Sequence, residues 1–283
     1  MLEGGLLPPV LDLQLLRQAT GGGEEEDEET TEALRPLRHA AALYAVLKSS
    51  TLTTIGEQAF DGCSSLTSIT LPAGITSIGN YEAFNGCSSL VSVTLPEGIT
   101  SIGDSAFNGC SSLTLVTLPA SIPSIGDCAF SGCSSLTSLT LPAGLTSIGR
   151  CAFRGCSSLT SVTLPEGLTS IGSRAFAGCL SLTSVTLPAS ITSISEYAFN
   201  RCAFLTSITL PEGITSIGVG AFCNCASLTS ISLPAGITSI GDYAFNGCSS
   251  LVVPKLPDGA RVGAHAFDGC KACKQTAKKC VVQ

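Results

Sequence analysis

Ten phenylalanines fall in one column along this chain. Phe60, Phe84, Phe107, Phe130, Phe153, Phe176, Phe199, Phe222, Phe245 and Phe267 are each followed three residues later by a cysteine, from Cys63 to Cys270. A typical copy reads CSSLTSVTLPEGLTSIGSRAF, and the period is 23 residues through most of the array. A fixed short period built on Leu-x-x-(Ile/Val)-x-Leu describes units that cannot bury their apolar faces alone. Stacked coils bury them against one another, so the chain is expected to be a mainly β repeat solenoid. The ligand of such a scaffold is set by its surface columns, which the repeat itself leaves open.

The columns give each residue a place. In Leu159-Thr160-Ser161-Val162-Thr163-Leu164-Pro165, Val162 and Leu164 alternate inward while Ser161 and Thr163 face out. Equivalent strands of stacked coils lie about 4.8 Å apart and form a parallel sheet. Pro165 ends the strand because it has no amide for the ladder. Gly167 is read as permitting a turn, Leu168 and Ile171 as pointing inward, and Gly172 as turning again. Ala175-Phe176 then enters the interior on a turn or a one-turn helix. The glycine before each cysteine is expected at positive φ; Arg201 and Asn224 depart from it.

Outside the array the reading is coarser. Residues 1–35 form an acidic, flexible extension, with Gly21-Gly22-Gly23 and the run Glu24 to Glu29 as a linker. Residues 36–50 are an N-terminal cap helix opened by Pro36, with Leu37, Ala41, Tyr44 and Leu47 on one face. Residues 51–270 are the solenoid and 271–283 a basic C-terminal cap. One insertion lies among Asn80, Tyr81 and Glu82, and Pro254, Lys255 and Arg261 protect the edge of the last coil.

The motif IGxxAFxGCSSLTSVTLPxG, repeated over most of the chain, resembles the BspA-type leucine-rich repeats. The resemblance implies a right-handed solenoid with one regular β-sheet face. It also implies a surface or secreted protein that contacts other proteins, and it brings no catalytic residues.

Charge narrows the partners. The net charge is −7 and no basic cluster occurs in the array, which argues against nucleic acid. No apolar run reaches the roughly 18 residues of a membrane span. The opening MLEGGLLPPVLDLQLL lacks a basic stretch and is broken by Pro8-Pro9, so it does not read as a signal peptide. That favours an intracellular or processed chain, against the family's surface location. His39 and His265 stand at opposite ends of the array, and Glu97, Glu166 and Glu212 are solitary, so no enzyme and no cofactor are expected.

Four candidate features remain. The cysteine column is read as a small buried apolar column rather than a metal site. Cys128 and Cys151 occupy one position in adjacent coils, about 5 Å apart, within disulfide range, and Cys273 and Cys280 are placed to clip the C-terminal cap; free thiols are the alternative. The outward array of Ser138, Thr140, Ser161, Thr163, Ser184 and Thr186 is a flat hydroxyl lattice, or simply good strand residues copied by repetition. The variable loop face carries Arg150, Arg154, Arg174, Tyr197, Arg201 and Tyr243, residue types that favour interfaces.

Together these point to a non-enzymatic scaffold binding another protein through its sheet or loop face. The segment bounded by Val10 and Ala19 is an additional docking element. The alternative is adhesion to a surface or lattice, ice or mineral, through the Ser-x-Thr array.

Overall fold

The computed structural model describes residues 52–271. Contacts divide the chain into two units, Met1–Leu52 and Thr53–Gln283, and all described residues but Leu52 belong to the second. The cap helix expected over residues 36–50, the segment of Val10 and Ala19, His39, Cys273 and Cys280 lie outside the described residues.

The second unit is a parallel β-solenoid, and each coil supplies up to two short strands. The first is the Ser-x-Thr strand: Ser161–Thr163 pairs with Ser138–Thr140 on one side and Ser184–Thr186 on the other, residue for equivalent residue. Its central residue is buried and its flanks are exposed, as a side-chain period of two requires. The second strand runs Ser-Ile, as in Ser147–Ile148 and Ser170–Ile171, again paired in register. A slip of one residue would turn Val162 out and Ser161 in, so the 23-residue period pins the register.

A third rail closes each coil. The Ala-Phe segment is a turn, and alternate residues of it bond the next coil much as a parallel strand would. The amides of Cys128, Phe130 and Gly132 donate to the carbonyls of Arg150, Ala152 and Arg154 at 2.7, 2.8 and 2.7 Å. The phenylalanine rings stack inside these turns, with centroids 4.8 Å apart at Phe60–Phe84 and 5.6 Å at Phe176–Phe199. From Phe60 to Phe245 the column is fully buried. Burying one such ring contributes about 2–3 kcal/mol by area.

The cysteines do more than fill space. Each thiol from Cys87 to Cys270 donates to the carbonyl of the phenylalanine in the preceding coil, for example Cys133 to Phe107 at 3.2 Å and Cys179 to Phe153 at 3.3 Å. A Phe-Cys step thus ties one coil to the next through a side chain that is too small to disturb the stack.

The glycines divide by cause. Those before the cysteines take positive φ as expected, from Gly62 at +65° to Gly269 at +79°, and Arg201 (+59°) and Asn224 (+62°) adopt the same conformation. The other two columns correct the sequence reading. Gly167 does not occupy the left-handed region, and Ser121 and Ser190 take its place in other coils. There the hydroxyl bonds the preceding coil, Ser190 donating to the Glu166 carbonyl at 2.9 Å. Gly172 is needed for close approach rather than for turning: a Cβ there would sit 2.5 Å from the Gly149 carbonyl carbon.

Ser195 stands in that last column and shows the consequence. The second ladder breaks at its coil, leaving six strands from Thr54–Ile55 to Ser170–Ile171 and four from Ser193–Ile194 to Arg261–Val262. The Ser195 hydroxyl donates to the Ile171 carbonyl, replacing the bond that the Gly172 amide makes to Ile148 at 2.8 Å.

The regular pattern is broken near both ends of the described array. The insertion near Tyr81 is absorbed as a register shift between Ile78 and Tyr81. The Ser-x-Thr ladder, expected to continue through Ser230 and Ser232, stops at Ser207–Thr209. Pro254 offers no amide to the next rung, and segment 230–232 is left beside a groove of about 740 Å³ lined by Ile208, Leu233, Pro254 and Leu256. Arg261 remains in a strand, paired with Ser239.

Candidate interaction surface

The residues singled out from sequence lie on two rails of the solenoid. Ser138, Thr140, Ser161, Thr163, Ser184 and Thr186 are all exposed and form a registered array. Among the described residues their hydroxyls make no hydrogen bond, whereas the neighbouring threonines are consumed. Thr160 donates to the Thr137 carbonyl at 3.1 Å and Thr183 to Thr160 at 3.3 Å. Leu115 interrupts the array and is 55% exposed.

Arg150, Arg154, Arg174, Tyr197, Arg201 and Tyr243 project from the turn rail. For Arg174, Tyr197 and Tyr243 the display has a local cause that the sequence did not reveal. The position two before each phenylalanine sits at positive φ in every coil, at +56° for Cys128, +54° for Cys151, +59° for Arg174 and +55° for Tyr197. A left-handed residue costs an L side chain about 1–2 kcal/mol. Here both its backbone groups are satisfied: the Arg174 amide donates to the Glu196 carbonyl at 2.9 Å, and its carbonyl accepts from the Ala177 amide at 3.1 Å. The signal that such columns normally give, a recurrent glycine, appears only once, at Gly220.

Several variable positions prove to be structural. The carboxylates of Asp104 and Asp127 accept the backbone amides of Asp127 and Arg150, at 2.7 and 2.6 Å, and Asp242 does the same for Ala264 at 2.7 Å. After the phenylalanine, Asn108 donates to Asn85 at 3.1 Å and Asn85 to Asp61 at 2.8 Å, a half-buried ladder. What these columns leave for recognition is chiefly arginine and aromatic. Arg174 lies over the Tyr197 ring, 4.6 Å from its centroid, and Tyr243 stacks on His265 at 5.1 Å.

Arg154 and Arg201 line one shallow groove of about 300 Å³, with Ser131, Ala177 and Gly178 as its floor. The outward Ser-x-Thr residues do not join it.

Cys128 and Cys151 are neighbours on this rail, half exposed and both thiols. The Cys128 thiol is held above its ordinary range by burial first and by Cys151 next, with Arg154 opposing. In the buried column, burial pushes Cys133 and Cys179 up to about 12.

His265 lies 2.7 Å from Asp268, both exposed. Among the described residues no group of three or more His, Cys, Asp or Glu is arranged to hold a metal ion. No described helix is long and apolar enough to cross a membrane.

Comparison with known proteins places the repeat. The family model of the BspA type leucine rich repeat region matches residues 42–160 and 148–274. A leucine rich cell surface protein of Faecalibacterium prausnitzii is 30% identical, with 77% of this chain and 75% of that one covered and a TM-score of 0.46. The pneumococcal vaccine antigen PcpA is 26% identical over 77% of this chain and 65% of its own, with a TM-score of 0.52. A leucine-rich repeat protein of Eubacterium ventriosum reaches a TM-score of 0.54 at 21% identity, covering 81% of this chain and 83% of its own. No curated protein sequence matches the chain.

Proposed function

The chain belongs to the BspA-type leucine-rich repeat family, and from that premise we propose that it is a non-enzymatic scaffold that binds another protein through its turn rail. The observation that carries this is the division of the surface. The aspartate and asparagine columns are spent on holding coils together, which leaves Arg150, Arg154, Arg201 and Tyr243 exposed and the Arg174–Tyr197 pair half-buried between them. Arginine and tyrosine are the side chains that most often anchor interfaces.

We place its action at the cell surface, as the family resemblance implies. In an oxidising compartment, Cys128 and Cys151 form a disulfide across adjacent coils, giving two protons and two electrons to the compartment's thiol oxidant. Intact mass of the native protein, alkylated after unfolding with and without reduction, reads this directly. A Cys128–Cys151 pair supports the surface site; alkylation of both thiols without reduction refutes it.

The Ser-x-Thr array supports a second reading, adsorption to a lattice, because its outward hydroxyls are regular and unspent. Two variants separate the readings. Thr140→Lys with Thr163→Lys abolishes adsorption to ice or mineral but leaves a turn-rail partner bound. Arg150→Ser with Arg174→Ser and Tyr197→Ser does the reverse. A partner whose binding is lost in the first variant and kept in the second refutes the turn-rail assignment.

A further inference from the structure

Three departures from the repeat meet at one place on the turn rail. Where other coils carry Gly before the cysteine, one carries Arg201, held at φ +59°. Where most carry Ser-Ser after it, adjacent coils carry Leu180 and Phe204. The Phe204 amide donates to the Leu180 carbonyl at 3.1 Å, so the two lie on touching rungs. Phe204 is 61% exposed and Leu180 43%. The array's one phenylalanine column is buried from Phe60 to Phe245, and a ring left in water near a strained arginine has no role in stacking coils. A strained backbone kept against a cheaper residue is a reason to look for a ligand.

The chemistry of the place is specific. Arg201 shares its groove with Arg154, two coils away, at a separation of about 10 Å from coil spacing. With Arg150 and Arg174 nearby, four guanidiniums gather in three successive coils of a chain whose net charge is −7. The carboxylates between residues 127 and 201 are Asp127, which is bonded to the Arg150 amide, Glu166, which lies in the turn after the Ser-x-Thr strand, and Glu196. Among the described residues none of the four guanidiniums is in an ion pair.

We propose that Arg154, Arg201, Leu180 and Phe204 form a docking site for an acidic peptide segment that carries a large apolar side chain. This rests on the protein-binding reading and names the partner's chemistry. An extended segment rises about 3.3 Å per residue and shows alternate side chains on one face, so carboxylates two residues apart, about 6.6 Å, face the groove together within reach of the two long arginine side chains. Its apolar side chain covers Phe204 and Leu180. A groove of about 300 Å³ takes a few residues of such a segment rather than a folded surface.

The test uses the full chain and fluorescence anisotropy with labelled short peptide pools. The pools carry Glu-x-Glu with Phe or Leu, the same peptides with Gln for Glu, with Lys for Glu, and with Ala for the apolar residue. A sulfated polysaccharide is run in parallel. The acidic-apolar pool binds, and each substituted pool binds at least about tenfold more weakly, the scale of losing one charge-assisted contact. Arg201→Gly and Phe204→Ser restore the residues that other coils carry, so both variants fold, and each weakens the acidic-apolar pool by a similar factor. Retention of binding in Arg201→Gly with Phe204→Ser overturns the proposal, as does tighter binding of the polysaccharide than of any peptide. If basic or neutral peptides bind instead, and do so through Arg150, Arg174 or Tyr197, this site is refuted while the scaffold reading stands. If no pool binds and the native partner is unaffected by turn-rail variants, both fall.

Discussion

The buried cysteine is the residue on which the coil stack turns. Its thiol reaches the carbonyl of the preceding phenylalanine and stays protonated because burial pushes it up to about 12 at Cys133 and Cys179. A raised acid pKa means that the folded state holds the proton more tightly than the unfolded chain does. The column therefore contributes its full stability below the ordinary thiol value of 9.0 and loses it as pH rises from there toward about 12. Denaturant titrations at stepped pH should show stability falling through that window, and Cys133→Ala with Cys179→Ala should flatten the fall. The two glycine columns offer a second test at this scale. Gly172→Ala places a Cβ 2.5 Å from backbone that cannot retreat, at an expected loss of about 1–3 kcal/mol. Gly167→Ser meets the Ala143 and Leu145 carbonyls at 3.6 and 4.0 Å, ordinary contact distances, and should leave the urea midpoint nearly unchanged, since Ser121 and Ser190 already serve in that column.

At the scale of the element, the strands are too short to persist alone, and each is held by the rungs on either side. The Ser195 coil tests how far that support reaches. Its side chain bridges to Ile171 where other coils use the backbone, and the second ladder is interrupted there. Hydrogen exchange should find the amides of residues 192–195 less protected than their equivalents at 169–172. Ser195→Gly should remove the difference by letting the coils close to glycine distance. Equal protection in the wild-type chain would show that the interruption has no energetic weight. The turn rail is the element on which the proposed function depends. It is rigid because alternate amides bond the next coil, so its side chains are displayed on a fixed pitch of about 5 Å.

Over the whole array, stability is a sum of neighbour interactions, and a break in the middle matters more than one at an end. Phe153 lies between Phe130 and Phe176, at centroid distances of 5.5 and 5.4 Å. Phe153→Ala should cost about 3–5 kcal/mol and divide the single unfolding transition into two, one for each side of the gap. The same change at Phe267, half exposed beyond Phe245, should cost less and leave one transition. A single sharp transition in Phe153→Ala would mean that the two ladders and the turn rail couple the halves without the ring column.

The repeat alone determined the solenoid, the parallel register and the inward columns, because a fixed period can satisfy its apolar residues in only one way. Val162, Leu164, Ile171 and Phe176 were placed by counting, and the structure buries all four. Counting put the glycines before the cysteines in the left-handed region, and the structure adds Arg201 and Asn224, which the sequence reading set apart as departures. What the sequence could not decide was how near one coil comes to the next. That distance makes Gly172 obligatory and Gly167 replaceable, turns Ser195 into a break, and spends Asp104 and Asp127 on amides rather than ligands. The positive φ of the column holding Arg174 and Tyr197 was hidden for the same reason. Its strain is offset by one bond to the next coil and one within its own turn, and a sequence read along the chain does not show what lies across the stack.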